Sequence, residues 1–181
     1  MAALHVAMDV GYHKHGATAA AVAFADWSDP LPAREWTVEI DDVAEYVPGS
    51  FYLRELPCLL ELLQAVPTPA TLLVDGYVWL DGQGRRGLGA HLYEALDGKI
   101  PVIGVAKTSF NSVRDDAGTC GDDQLSCQEV VRGVSRRPLF VTAVGVALAT
   151  AAVWVASMHG AHRVPTLLKR VDQLSRRPKR A

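Results

Sequence analysis

Cysteine is scarce in this chain: Cys58, Cys120 and Cys127 are the only three among 181 residues. Their odd number and uneven spacing argue against a disulfide framework, offer no Cys-x-x-Cys pair for zinc, and fit a reducing, cytoplasmic setting. Long hydrophobic runs are lacking too. The longest, Val144 to Met158, is Ala-rich and too short for a membrane span, so it reads as a buried helix. The stretch from Met1 has no basic segment followed by an apolar run, so no secretory leader is expected. Nor is there an excess of positive charge. Lys and Arg total 18 against 20 Asp and Glu, a net charge of −2, which counts against a protein relying on a broad nonspecific nucleic-acid surface. It does not exclude an enzyme whose acidic site is offset by a local basic rim.

What is present is an ordinary globular composition, 49% hydrophobic and 21% charged, long enough to bury a sizeable core. The expected organisation is a single domain over 1–175 followed by a basic tail at 176–181, with no internal repeat and no long linker. Three apolar runs each stop at one chemically useful residue. Leu4-His5-Val6-Ala7-Met8 ends at Asp9, Thr71-Leu72-Leu73-Val74 at Asp75, and Pro101-Val102-Ile103-Gly104-Val105-Ala106 at Lys107. Runs of this kind read as buried strands, and ligands of open α/β sheets collect at the carboxyl ends of parallel strands. Two carboxylates and one ammonium at one sheet edge suggest a divalent-metal site acting on phosphate.

The element order supports that placement. Strands are expected at 4–9, 18–27 and 34–40, with a turn over Gly11–Gly16 and another at Ser28-Asp29-Pro30-Leu31-Pro32. After Pro48-Gly49 the apolar spacing becomes helical for about four turns, until Pro67-Thr68-Pro69 ends it. A strand at 71–75, a Gly-rich loop from Gly76 to Gly89, a helix near 90–96 and a strand at 101–106 follow. Residues 111–127 are polar and acidic and read as a surface excursion. A hairpin is expected from 128–133 and 138–142, then helices at 146–159 and 164–175. Three strands, helix, strand, helix, strand, helices is the layout of an α/β, ribonuclease-H-like mixed sheet: an antiparallel meander plus parallel strands, flanked by helices. In it the first and fourth strands lie side by side, bringing Asp9 to Asp75.

Magnesium is commonly held by one or two carboxylates plus water and substrate phosphate. Asp9 and Asp75 suit that task, and Glu55, on the first turns of the helix after Gly49, is a third candidate. From spacing alone the alternative stays open that both aspartates bind turn amides and Glu55 is solvated. Lys107 is either a surface charge or a cation that stabilises a transferring phosphate or positions the attacking water. Tyr46, in a Pro/Gly-terminated turn, either caps the core edge or acts as an aromatic wedge between bases. His13, His15, His159 and His162 are read as surface histidines. Gly82-x-Gly84 is no dinucleotide fingerprint, and no Gly-x-Ser-x-Gly elbow is present.

Taken in order, these segments resemble the endonuclease V family. Ala7-Met8-Asp9-Val10-Gly11-Tyr12 is similar to its first Asp-Val-(Ser/Gly)-Tyr strand. Tyr46-Val47-Pro48-Gly49-Ser50-Phe51-Tyr52-Leu53-Arg54-Glu55 is similar to its Tyr-Ile-Pro-Gly wedge and Phe-Arg-Glu. Leu73-Val74-Asp75-Gly76, Gly87-Leu88-Gly89-Ala90-His91-Leu92, Ile103-Gly104-Val105-Ala106-Lys107 and His162-Arg163-Val164-Pro165 resemble the later blocks. The resemblance implies a magnesium-dependent endonuclease, with manganese as a substitute, that cuts DNA or RNA near deaminated bases, chiefly inosine. By the same resemblance Asp9, Glu55 and Asp75 bind metal and Lys107 assists at the phosphate. Tyr46 and Pro48 form the strand-separating wedge, and Gly49, Arg54, Gly76 and His91 belong to the nucleic-acid-binding set. A base read outside the stack would sit beside that wedge.

Two of the family pattern's histidines are replaced here. The histidine expected after Val-Asp-Gly falls on Asp81 or Gly82, which raises Asp81 as its stand-in. The later Ser-x-Gly-His-Arg is replaced by Thr142-Ala143-Val144-Gly145-Val146. The competing expectation is therefore a catalytically weakened homologue that binds nucleic acid or a protein partner without cutting.

Overall fold

The computed structural model describes residues 4–45, 48, 50–109 and 127–176. The acidic excursion, apart from Cys127, and the tail beyond Arg176 lie outside them, as do Tyr46 and Gly49.

Seven strands form one sheet: β1 (His5–His13), β2 (Gly16–Phe24), β3 (Arg34–Ile40), β4 (Thr71–Asp75), β5 (Val102–Ala106), β6 (Gln128–Val130) and β7 (Leu139–Val144). Their spatial order is β3-β2-β1-β4-β5-β7-β6. β1, β4 and β5 run parallel, while β2, β3, β7 and β6 pair antiparallel. The ribonuclease-H-like expectation holds, with a further antiparallel pair on the far edge. Four helices cover the sheet: α1 (Tyr52–Leu63), α2 (Leu88–Ala95), α3 (Leu148–Ser157) and α4 (Thr166–Ser175).

Alternation along the strands sorts the core into two layers. Val6, Met8, Val10, Leu72 and Val74 face α1 and α2, where Cys58, Leu59, Leu62 and Leu92 meet them. Ala7, Leu73, Ile103 and Val105 face α3 and α4, against Val155, Leu167, Val171 and Leu174. Asp9 continues the parity of Ala7, and Asp75 that of Leu73. Both therefore lie on the α4 side.

The first hairpin is longer and tighter than the sequence predicts. The turn expected over Gly11–Gly16 reduces to Lys14-His15, because β1 and β2 pair without a break from His5↔Phe24 to His13↔Gly16. Val10 and Tyr12 keep facing the α1 layer, so burial carries the strand past the polar residues that read as a loop. β2 ends at Phe24, and the chain turns where Asp29 Oδ2 accepts the Ala25 and Asp26 N–H groups. α1 is 12 residues rather than four full turns. α2 starts two residues early, at Leu88. α3 and α4 are each trimmed at the N-terminal end, α3 also at its C-terminal end, and the second hairpin is offset by one to three residues.

β4 and β5 press tightly on the loop after β4. A Cβ at Gly104 would lie 2.7 Å from both the Gly76 carbonyl oxygen and Thr142 Oγ1. Thr142, fully buried, accepts the Val78 N–H at 2.8 Å. The segment in which the family pattern places a histidine is thus spent here on fixing the path of the loop that leaves Asp75.

Candidate active site

Parallel pairing between β1 and β4 stops at Met8↔Val74, so Asp9 and Asp75 stand one step beyond the last pair. β1 continues with only β2 beside it, and a cleft opens there. Asp9, Tyr12, Glu55, Asp75, Gly76, Lys107, Asp172 and Arg176 all line it. Asp9, midway along β1 where its pairing with β4 stops, Asp75 at the end of β4 and Lys107 just past β5 share this edge, and the first turn of α1 swings Glu55 over the same opening.

Each group is held. Lys107 Nζ donates to Asp75 Oδ2 at 2.6 Å. Burial would lower the Lys107 pKa, but the bond and charge of Asp75, with Asp172 and Asp9 behind, raise it overall, so this ammonium stays charged. Ser175 Oγ donates to Asp9 Oδ2 at 2.6 Å. Burial pushes the Asp9 carboxyl up, the Ser175 bond opposes it, and Asp75 and Asp172 push further upward. Arg163 donates to the Lys107 carbonyl and, at 2.5 Å, to that of Pro138, tying the end of β5 to the start of β7.

Glu55 is only 4% exposed, and its Oε2 has no hydrogen-bond partner. Burial, then the charges of Asp9 and Asp75, push its pKa up to about 9. A buried carboxyl with an unpartnered oxygen facing two more carboxylates is a costly arrangement on its own. A hard divalent cation is what this all-oxygen donor set fits. Among the described residues no three His, Cys, Asp or Glu side chains already stand close enough to enclose an ion. Magnesium does not require that, since it is usually held by one or two carboxylates with water and phosphate completing the shell.

The other expected residues are distributed differently. Gly76, with φ 131°, turns the chain immediately after Asp75. Pro48 is exposed, while its neighbours Tyr46 and Gly49 lie outside the described residues. Arg54 lays its guanidinium 3.8 Å over the Tyr12 ring, bracing α1 on β1. His91 stacks on Tyr52 at 3.7 Å between ring centres and lines neither the cleft nor its neighbour. Burial lowers its pKa, as does Arg86 nearby. Asp81 Oδ1 accepts the Gln83 and Arg85 N–H groups at 3.0 Å, so its carboxylate closes a loop rather than lining the carboxylate cleft. A second cavity, about 720 Å³, adjoins at Asp75-Gly76-Tyr77 and is lined also by Phe51, Tyr52, Arg85 and Arg86.

Sequence reading missed Asp172, Ser175 and Arg176. The amphipathic pattern of α4, with Leu167, Val171 and Leu174 inward, placed the helix but not the polar edge that reaches the cleft.

Residues 2–173 match the model of the Endonuclease V family. The chain belongs to that family. An endonuclease V of Streptomyces coelicolor is 39% identical over 142 residues, covering 72% of this chain and 59% of that relative's length. One from Azotobacter vinelandii is 32% identical over 185 residues, covering 94% and 80%. Among solved structures, the catalytic domain of human endonuclease V is similar at 27% identity, with a TM-score of 0.70 over 96% of this chain and 81% of that one. A Ciona intestinalis endonuclease V, in complex with a 24mer DNA containing an inosine followed by a ribo-adenosine, has a TM-score of 0.79 over 96% and 84%. At 21% identity that likeness bears on the fold alone. No helix among the described residues is long and apolar enough to cross a membrane.

Proposed function

We propose that this protein is a metal-dependent endonuclease that hydrolyses a phosphodiester bond in nucleic acid carrying a deaminated base, inosine foremost. The observation that carries the reading is one cleft, lined by Asp9, Glu55, Asp75 and Lys107, that opens where the pairing of β1 with β4 stops. Family membership supports the substrate class.

Asp9 and Asp75 are the donors for magnesium, or manganese in its place, with Glu55 completing the carboxylate set. The ion, when bound, would supply Lewis-acid polarisation of the phosphoryl oxygens. Lys107, kept charged by Asp75, places a positive charge where negative charge gathers on phosphorus-bound oxygens. Glu55, buried with Oε2 unpartnered, would add the third carboxylate to that ion, while water oxygen bonds to phosphorus and one ester P–O bond breaks. The cavity beside Gly76 and Tyr77 is the place for a base turned out of the stack.

The test is nicking of inosine DNA, inosine RNA and matched controls with magnesium, manganese or chelator. Metal-dependent cutting of the inosine strand that Asp75→Ala abolishes, with circular dichroism unchanged, supports the reading. Full activity of Asp75→Ala would refute the assignment. The residues that stand in place of the family's histidines, Asp81 or Gly82 and the run Thr142–Val146, keep a second reading in view, a binder that selects inosine without cutting. Selective retention on inosine oligonucleotides without product would decide for it.

A further inference from the structure

The last turn of α4 reaches the cleft through a side chain to which the proposed chemistry assigns no role. Ser175 is 2% exposed, yet its hydroxyl lies 2.6 Å from Asp9 Oδ2 and 2.9 Å from the Asp172 carbonyl oxygen. A hydroxyl has one proton to give. The shorter, charge-assisted contact takes it, so the hydrogen bond runs from Ser175 to the carboxylate. An independent contact fixes this end of the helix. At Gly11, two residues beyond Asp9 on the same strand, a Cβ would run into the Ser175 carbonyl group. Backbone therefore meets backbone where Asp9 emerges, and the hydroxyl is delivered to one carboxylate oxygen at fixed height.

Asp9 and Asp75 are consequently held by different devices. Lys107 pins Asp75 with a charge on a half-exposed, flexible stem. Ser175 pins Asp9 with a short neutral group inside the core.

We propose that Ser175 is a positioning residue that sets the Asp9 carboxylate in its cation-binding orientation and makes the C-terminal turn of α4 part of the site. The inference rests on the carboxylate reading given above. Groups that orient metal-binding carboxylates typically govern affinity by one to two orders of magnitude. Ser175→Ala should weaken binding of Mn²⁺ about tenfold or more.

The experiment titrates the full-length protein with Mn²⁺ alone, followed by electron paramagnetic resonance, and with Mg²⁺ alone, followed by the shift in Tm. Wild type, Ser175→Ala, Ser175→Thr and Asp9→Asn are compared, and Tm in chelator is read for each. The expected result is loss of binding in Asp9→Asn, about tenfold weakening in Ser175→Ala, and recovery of most of that loss in Ser175→Thr. Wild-type Mn²⁺ affinity in Ser175→Ala, alongside loss in Asp9→Asn, would overturn the role of Ser175 and leave the carboxylate reading standing. So would Ser175→Ala and Ser175→Thr equally weakened with unchanged Tm, since the hydroxyl would then not matter. Wild-type affinity in Asp9→Asn would overturn the carboxylate reading itself, and the inference with it.

Discussion

Glu55→Gln should stabilise the metal-free protein while destroying its activity. The folded-state pKa of Glu55 is pushed from 4.5 to about 9 by burial and by the charges of Asp9 and Asp75. Below pH 4.5 the carboxyl is protonated whether the chain is folded or not, and no stability is lost. As pH rises toward 9, the unfolded chain gives up this proton while the folded chain retains it, so stability declines across that window. At pH 7 the interval from 4.5 is 2.5 units, which at 1.36 kcal/mol per unit is about 3 kcal/mol at most. Glutamine keeps the shape, carries no charge and does not titrate. For a chain of this length the gain corresponds to roughly 6–12 °C in Tm. The assay is thermal unfolding from pH 5 to 9 in chelator and again in excess magnesium. Wild type should lose stability with rising pH in chelator and regain it with the cation. The variant should be flat at this site, gain less stability from magnesium than wild type, and be reduced in nicking by at least about 100-fold. A glutamine variant no more stable than wild type at pH 7 in chelator would refute the claim that Glu55 is buried at electrostatic cost.

Three further outcomes follow from the same geometry. Lys107→Met should cut nicking about 100-fold. Because the Lys107–Asp75 pair is 41% and 40% exposed, it should cost under about 1 kcal/mol in urea unfolding. A loss of several kcal/mol would make Lys107 structural. Asp81→Asn should leave the nicking rate within about threefold, its carboxylate being engaged by the Gln83 and Arg85 amides. A 100-fold drop would instead place Asp81 in the chemistry. Gly11→Ala drives a Cβ into the Ser175 carbonyl and should cost about 1–3 kcal/mol, read as a lower urea midpoint. An unchanged midpoint would mean that α4 does not rest on β1 there.

Apolar runs and their abrupt polar ends were sufficient to place β1, β4 and β5 and to order Asp9, Asp75 and Lys107, because a buried strand must be apolar until it emerges. The spacing of leucines located α1 and α4 for the same reason. Local sequence misjudged β1 beyond Asp9, where Gly11, Tyr12 and His13 look like a turn but pair along their full length with β2. It raised Asp81 in place of a histidine but gave no sign that Asp81 Oδ1 accepts two backbone amides. Nothing in the spacing foretold that the His91 ring lies flat on Tyr52.

Sequence alone determined the α/β layout, the strand-end residues and the family. Only the tertiary structure decided that Glu55 is buried, that Arg54 braces Tyr12, that Asp172 and Arg176 line the cleft, and that Ser175 bonds Asp9. The reason is physical. Patterning reports which face of an element meets the core, but which polar residue meets another 166 positions away depends on how helices cross the sheet.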